Sequence, residues 1–381
     1  SDTNLEIVMK IISDKINHLS ESETLAMSGL CSKLKSQGYD VINLCLGESD
    51  FRTPDYIKKA AKDAIDQNIT FYPPVCGYPE LRDVIVQKFK RENNLEFKQD
   101  QIIVSTGAKQ AIANVVQSLL NPGDEVIIPS PYWVSYKEVI KLADAKPVYL
   151  PSDISTNFKI TPAQLEKAIT HATKLFLFSS PCNPTGTVYS RDELKSMADV
   201  FALHDNVFVL SDEIYEHINF NGEHESIAQF SSIRDRVIIV NGVSKSFAMT
   251  GWRIGYMAAS TQIGEACNKL QGQITSGACS IAQMAALAAL KGDLSSVKTM
   301  LVAFRERRDL VIKLLSKIQG MKTNTPMGAF YVFPDVTYYF GKTDGKTTIN
   351  SAPELCDYIL SKVYVALMPG DAFGEPHCIR I

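Results

Sequence analysis

The chain has 381 residues, 45% of them hydrophobic and 21% charged, with a formal net charge of −3. That length exceeds one ordinary small domain, so two structural units are expected, with enough core to need neither disulfide nor metal staples. The near-neutral charge leaves no basic footprint for nucleic acid. The most apolar stretch, Ile281–Leu290, is too short to span a bilayer and carries Gln283.

Residues 1–46 read as mostly helical and end in the apolar run Val41–Leu46. Their early apolar residues are interleaved with Asp2, Glu6, Lys10 and Asp14, so no secretory leader is expected. Ile102–Val104 then reads as a strand, followed by the turn Ser105-Thr106-Gly107 and a helix over about Ala108–Leu120. Asn121-Pro122-Gly123-Asp124 breaks that helix before a second strand, Glu125–Ile128. Lys146–Leu150, Leu175–Ser179, Val207–Leu210 and Val237–Val240 continue the series. Short apolar or β-branched runs between turns suit strands buried on both faces, and strand–helix alternation predicts a mainly parallel sheet flanked by helices. Thr299–Ile318 has helical spacing and high charge. Then come the apolar run Phe330–Phe333, a polar loop near Gly341–Lys346, a helix near Pro353–Lys362 and the run Val363–Leu367.

The expected fold class is therefore α/β, a large sheet domain plus a smaller α+β domain built from both chain ends. Residues 1–50 would form an N-terminal arm and the first part of the small domain, residues 51–290 the large domain, and residues 291–381 the remainder. The sequence stops just after the strand-like Cys378-Ile379-Arg380, and a further helix is expected beyond Ile381. The eight cysteines include no C-x-x-C pair, and no Cys/His cluster has zinc spacing. This excludes a disulfide scaffold and a zinc module, and scattered thiols fit a reducing, cytoplasmic compartment.

Four turns at predicted strand ends carry chemistry. Ser244-Lys245-Ser246-Phe247-Ala248-Met249-Thr250-Gly251-Trp252-Arg253 follows Val237–Val240. A lysine at the end of a buried strand sheds charge or finds a partner, and one of lowered pKa forms Schiff bases with carbonyls. Arg253 is a fork-shaped cation suited to phosphate. Read alone, both could be surface residues of a loop. Asn183, in Ser180-Pro181-Cys182-Asn183-Pro184-Thr185-Gly186, presents an amide from a rigid turn, or simply makes that turn. Asp212, in Ser211-Asp212-Glu213-Ile214-Tyr215, read singly is a helix cap. Ser105-Thr106-Gly107-Ala108-Lys109-Gln110 opens a helix whose N–H groups form an anion site, or is a plain strand–helix turn. Open α/β sheets bind ligands along the carboxyl edge of their strands. Together the turns supply a Schiff-base lysine, a phosphate cradle, an arginine, an acid and a phenol, the set that pyridoxal 5′-phosphate (PLP) requires.

With the motifs SK-x-F-AMTGWR-x-G, NPTG, SDEIYEH, GAKQ, SPYWVSY and YPELR, the sequence resembles the class I/II aminotransferases of PLP fold type I over about Leu19–Arg380. Within that family it is most similar to the bacterial-type aspartate aminotransferase branch. The resemblance implies that Lys245 holds PLP and shuttles the substrate Cα proton, that Asp212 pairs with the ring nitrogen, and that Tyr215 and Asn183 bond the 3′-oxygen. Trp133 would stack on the ring. Gly107, Ala108 and Lys109 would donate N–H groups to the phosphate beside Arg253, and Tyr72 would reach the phosphate of a neighbouring subunit, which implies a homodimer with shared active sites. Arg380 would bind the substrate α-carboxylate, Gly47 would approach the substrate by its backbone, and Ser22 and Thr24 would lie on a segment that closes over it. Lys109 is the candidate contact for a distal carboxylate. Trp252, Met249 and His217 read as scaffold, and Arg305, Arg307 and Arg308 as a solvated helix face or salt-bridge donors. Cys76 and Cys182 depart from the family pattern as neutral substitutions or as oxidant-sensitive thiols. The implied reaction is aspartate plus 2-oxoglutarate giving oxaloacetate plus glutamate. Transamination of another acceptor (aromatic, alanine or prephenate), a PLP-dependent β-lyase and a non-enzymatic PLP-fold module remain alternatives.

Overall fold

A seven-stranded sheet organises this computed structural model, which describes residues 11–381. The helical character expected of residues 1–10 lies outside the described residues. After the short strand β1 (Ile42–Asn43), the sheet is built from β2 (Ile102–Ser105), β3 (Glu125–Ser130), β4 (Lys146–Pro151), β5 (Thr173–Ser179), β6 (Phe208–Asp212), β7 (Val237–Gly242) and β8 (Gly255–Ala258). Their order is β2-β8-β7-β6-β5-β3-β4. Strands β4, β3, β5, β6 and β7 run parallel. Strand β8, which the sequence reading did not anticipate, is antiparallel to both β7 and β2. Two antiparallel steps leave β2 pointing the same way as β7, so the turns after β2, β5, β6 and β7 open on one edge.

Both sheet faces are covered. Along β5, Leu175 and Leu177 join one helix-covered core, whereas Phe176 and Phe178 join the other. Burial on both sides is why these strands read as continuous apolar runs. On one face the Gly107–Leu119 helix buries Ala111, Ile112, Val115 and Val116. On the other, the Arg191–Phe201 helix buries Leu194, Met197, Ala198 and Phe201. A capping box starts that helix: Glu193 N–H donates to Ser190 Oγ (3.2 Å), and Ser190 N–H to Glu193 Oε2 (2.7 Å). The apolar stretch lies in the helix Ser280–Lys291, whose Ala282, Ala285, Ala286 and Ala289 are buried. Its small side chains let the Asp55–Asp66 helix pack closely against it.

The two chain ends meet. The segment expected to be a polar loop forms a small hairpin, β9 (Lys342–Thr343) with β10 (Thr348–Ile349). Strand β11 (Val365–Ala366) pairs parallel with β1, and β12 (Met368–Pro369) pairs antiparallel with β13 (Ile379–Arg380). Cys31, Cys45, Phe333, Phe373 and Cys378 fill the core between these ends. Phe330–Phe333 is in no named strand, although Val332 and Ile381 exchange backbone hydrogen bonds of 3.0 and 2.9 Å. Arg307 is no idle solvated residue: it makes a two-pronged pair with Asp50 at 2.7 and 3.1 Å. Arg308 donates to the Pro326 carbonyl at 3.0 Å. Among the described residues no helix is long and apolar enough to cross a membrane, and no group of His, Cys, Asp and Glu could hold a metal ion.

Candidate active site

The edge formed by the ends of β2, β5, β6 and β7 walls a cavity of about 350 Å³, a size suited to a small-molecule site. Asp212, the last residue of β6, lies at its floor and is 4% exposed. Its Oδ2 accepts the Tyr136 hydroxyl proton at 2.6 Å and its Oδ1 accepts Ile214 N–H at 3.3 Å. No helix follows, because residues 214–217 form a turn, so the helix-cap reading of Asp212 is corrected. Burial pushes its carboxyl up to about 6, against the opposing pull of the Tyr136 hydrogen bond.

Lys245 follows β7 and reaches into the same cavity. Its Nζ donates to the Gly47 carbonyl and lies 5.6 Å from the Tyr215 ring centroid and 5.7 Å from that of Phe330. Burial, with the nearby Arg380 cation, lowers its pKa to about 8. Such an amine is neutral often enough near physiological pH to attack a carbonyl. A Cβ at Gly47 would come within 2.6 Å of Tyr331 Oη, so any other residue there would have to displace that hydroxyl.

Beside this amine, the Gly107–Leu119 helix starts directly after β2 with its N-terminus toward the cavity. Gly107 has φ of +79°, and a Cβ there would meet Arg253 Nη2 at 2.1 Å. The guanidinium thus lies against bare backbone at a helix N-terminus, a ready anion cradle. Arg253 is itself left-handed, φ +57°, and its Nη1 donates to the Thr250 carbonyl at 2.8 Å.

Across the cavity stands a second cation. Arg380 is 2% exposed; its Nη1 donates to Asn183 Oδ1 at 2.9 Å and its Nη2 to the Cys45 carbonyl at 2.5 Å. The guanidinium is centred 4.5 Å from the Tyr331 ring and 4.8 Å from the Phe373 ring, which fixes its plane. Its Nε is buried without a partner. With Asn183 Oδ1 taken, the Nδ2 group faces Tyr331 Oη at 3.5 Å. Tyr331 and Tyr215 share a hydrogen bond of 2.6 Å. Burial, together with the adjacent Tyr331, holds the Tyr215 phenol well above its ordinary pKa.

Ser22, Thr24, Ala108, Lys109, Trp133 and Ser244 also line the cavity. Lys109 Nζ lies 5.0 Å from the Trp133 ring centroid, and burial, then the Arg253 charge, lowers its pKa. Gly107 adjoins the cavity through Arg253 and Ala108, whereas Tyr72 is not brought to the cavity of this chain: it is 93% exposed beside Phe71, on a surface groove with Thr275–Ser280. Cys182 is buried behind the cavity and burial pushes its thiol up, the opposite of a reactive thiolate. Met249 is buried and Trp252 donates to Thr53 Oγ1 at 3.1 Å, as scaffold residues do.

Sequence reasoning missed two residues. Tyr136 was legible only as the residue three beyond Trp133 in SPYWVSY, and Tyr331 only as the polar member of Phe330–Phe333. Neither spacing announces that its hydroxyl meets Asp212 or Tyr215.

Residues 39–381 match the family model for aminotransferases of class I and II. The chain is 48% identical over 377 residues to a bifunctional aspartate aminotransferase and glutamate/aspartate-prephenate aminotransferase of Petunia hybrida, covering 97% of this chain and 78% of that one. A crystal structure of the aspartate aminotransferase from Rhizobium meliloti superposes with a TM-score of 0.94 at 40% identity, covering 97% of this chain and 93% of the other. The aspartate aminotransferase of Thermus thermophilus with maleate gives 0.91 at 37% identity, covering 97% and 94%. A family match over most of the chain, together with these likenesses, establishes that the chain belongs to the class I and II aminotransferase family.

Proposed function

We propose that this chain is a PLP-dependent aspartate aminotransferase that converts L-aspartate and 2-oxoglutarate to oxaloacetate and L-glutamate by ping-pong transfer. The observation that carries the reading is the Lys245 amine, lowered to about 8, in one cavity with an anion cradle and the buried Arg380. The donor set fits PLP on observations independent of any likeness. Gly107 leaves room against Arg253 that any side chain would fill, Asp212 is a buried carboxylate, and Arg380 keeps one buried donor unpartnered. When bound, PLP supplies an aldehyde for the lysine amine and a ring that draws electrons from the substrate Cα.

The protein's own residues then divide the work. Gly107, Ala108 and Lys109 N–H groups with Arg253 hold the phosphate, and Trp133 covers one ring face. Asp212, kept in place by Tyr136, holds a proton at the ring nitrogen. Asn183 Nδ2 and the Tyr215 hydroxyl serve the 3′-oxygen. Arg380 grips the substrate α-carboxylate with two parallel hydrogen bonds. Lys245 would take the proton from the substrate Cα as general base and deliver it to the carbon that had carried the cofactor's aldehyde. Lys109, above Trp133, meets the distal carboxylate, while Ser22 and Thr24 close over the substrate and exclude water. The maleate named with the Thermus thermophilus relative is also a dicarboxylate, which supports this assignment. The prephenate in the name of the Petunia hybrida relative supports prephenate as a second acceptor.

We further read residues 51–290 as the cofactor-binding domain, with residues 1–50 and 291–381 as the smaller one. Two copies would share their active sites through Tyr72. Eight free thiols support a reducing, cytoplasmic location. The test is to add aspartate, without an oxo acid, to the PLP-loaded protein. Its visible absorption should convert to that of the amine form and return on adding 2-oxoglutarate. No conversion with aspartate overturns the reading. Lys109→Ala, which keeps the backbone donor, should lower kcat/KM for aspartate about 30-fold or more, from the 2–5 kcal/mol that a desolvated charge contact carries. An unchanged kcat/KM overturns the role of Lys109.

A further inference from the structure

Asp212, Tyr215 and Lys245 face the cavity, and the residue after each points the other way, into a buried polar layer under the site. Glu213 Oε2 accepts from Ser211 and Ser226, each at 2.8 Å, and Oε1 meets His224 Nε2 at 2.8 Å. Glu216 pairs with Lys88 of the Pro79–Asn93 helix and accepts from Asn93 at 3.1 Å and Asn241 at 2.8 Å. Ser246 Oγ meets His217 Nδ1 at 2.7 Å, and His217 Nε2 meets Glu92 Oε1 at 2.8 Å. A carboxylate only accepts, so Nε2 carries a proton, and in the neutral ring Nδ1 accepts from the Ser246 hydroxyl. Ser246 is 1% exposed.

We propose that His217 is a positioning residue for Lys245, clamping the Ser246 backbone to the turn that carries Tyr215 and, through Glu92, to the Pro79–Asn93 helix. The inference rests on the aminotransferase reading above. Lys245 must move its Nζ away from the Gly47 carbonyl to work on a substrate, so the long side chain swings about its Cα. A swinging base transfers protons well only if its pivot is fixed, since about 1 Å of misplacement can cost 100-fold. The Ser246–His217–Glu92 relay is the side-chain tie on the residue next to that pivot. It joins three segments, residues 243–249, residues 213–217 and the end of a helix.

The test uses PLP-loaded holoenzyme. Ser246→Ala deletes one hydroxyl, and His217→Phe keeps an aromatic ring facing Phe247 while removing both hydrogen bonds. Each should lower kcat about 10- to 100-fold with the KM for aspartate within about 2-fold, because Arg380 and Lys109 are untouched. Each should also shift the pH midpoint of the visible absorption of lysine-bound PLP. The double variant should be no worse than His217→Phe alone, since both break one relay. Wild-type kcat and absorption midpoint in Ser246→Ala, or losses that multiply in the double variant, overturn the proposal. Should His217→Phe not fold, Ser246→Ala decides by itself. Wild-type enzyme that fails to transaminate aspartate would overturn the aminotransferase reading instead, a different result from a wild-type enzyme that works and a Ser246→Ala that works equally.

Discussion

Asp212 concentrates the electrostatic cost of the site in one carboxyl group. Its pKa rises from an ordinary 3.8 to about 6 through burial. The folded protein therefore binds the proton more tightly than the unfolded chain between about pH 4 and pH 6, and the protonated acid's advantage is lost as pH rises through that window. In the cofactor-free protein, Asp212→Asn should therefore gain stability over wild type as pH climbs from about 4 to 6, reaching on the order of 3 kcal/mol. Urea unfolding at a series of pH values checks this, and parallel curves for the two proteins would contradict it. Bound cofactor should shrink the difference, because a ring cation compensates the buried charge. The carboxylate was legible in the sequence, being the acid after an apolar run, but its environment was not. Tyr136 lies 76 positions away and reaches Asp212 only once the sheet and the Ser135–Leu142 helix that carries it have formed. Tyr331 meets Tyr215 across 116 positions. Side-chain pairs of that separation leave no local spacing to read.

At the scale of elements, strand β8 shapes the anion cradle. Gly255 faces the first turn of the Gly107–Leu119 helix so closely that a Cβ would lie 2.3 Å from Ala108 N. No rotamer relieves a clash against backbone, so Gly255→Ala must push the helix N-terminus away from Arg253. The expected result is about 1–3 kcal/mol of lost stability and weaker PLP binding, measured by urea unfolding of the cofactor-free protein and by titration with PLP. Unchanged affinity would mean that the cradle does not depend on this contact. The parallel strands β3, β5, β6 and β7 were legible because burial on both faces produces unbroken apolar runs. Strand β8 was not: it is four residues long, opens on glycine and directly follows the chemistry-bearing turn, so its apolar residues looked like the tail of that motif. The β9–β10 hairpin was hidden for a similar reason, since its exposed Lys342-Thr343 strand has the composition of a loop.

At the scale of the whole molecule, Tyr72, an expected member of the site, stands outside the cavity of its own chain. Tyr72 is 93% exposed and Phe71 81%, on a turn beside the groove of Thr275–Ser280. Two large aromatic rings so exposed suit a contact between copies, and a two-fold dimer places the same patch on both subunits. If Tyr72 serves the neighbour's phosphate, two crippled chains must rescue each other. Tyr72→Ala should be weakly active because every dimer lacks the tyrosine, and Lys245→Ala inactive because it lacks the amine. In a mixed dimer, the site built on the Tyr72→Ala chain has its own Lys245 and receives an intact Tyr72 from the Lys245→Ala chain. The other site lacks both groups. With equal amounts re-associated at random, half the dimers are mixed and one site in each is whole, so about a quarter of wild-type turnover should return. A tyrosine acting within its own chain restores no site under the same mixing. Turnover of the mixture no higher than the mean of the two variants measured apart would therefore rule out the shared site, and it would do so without disturbing the assignment of Lys245.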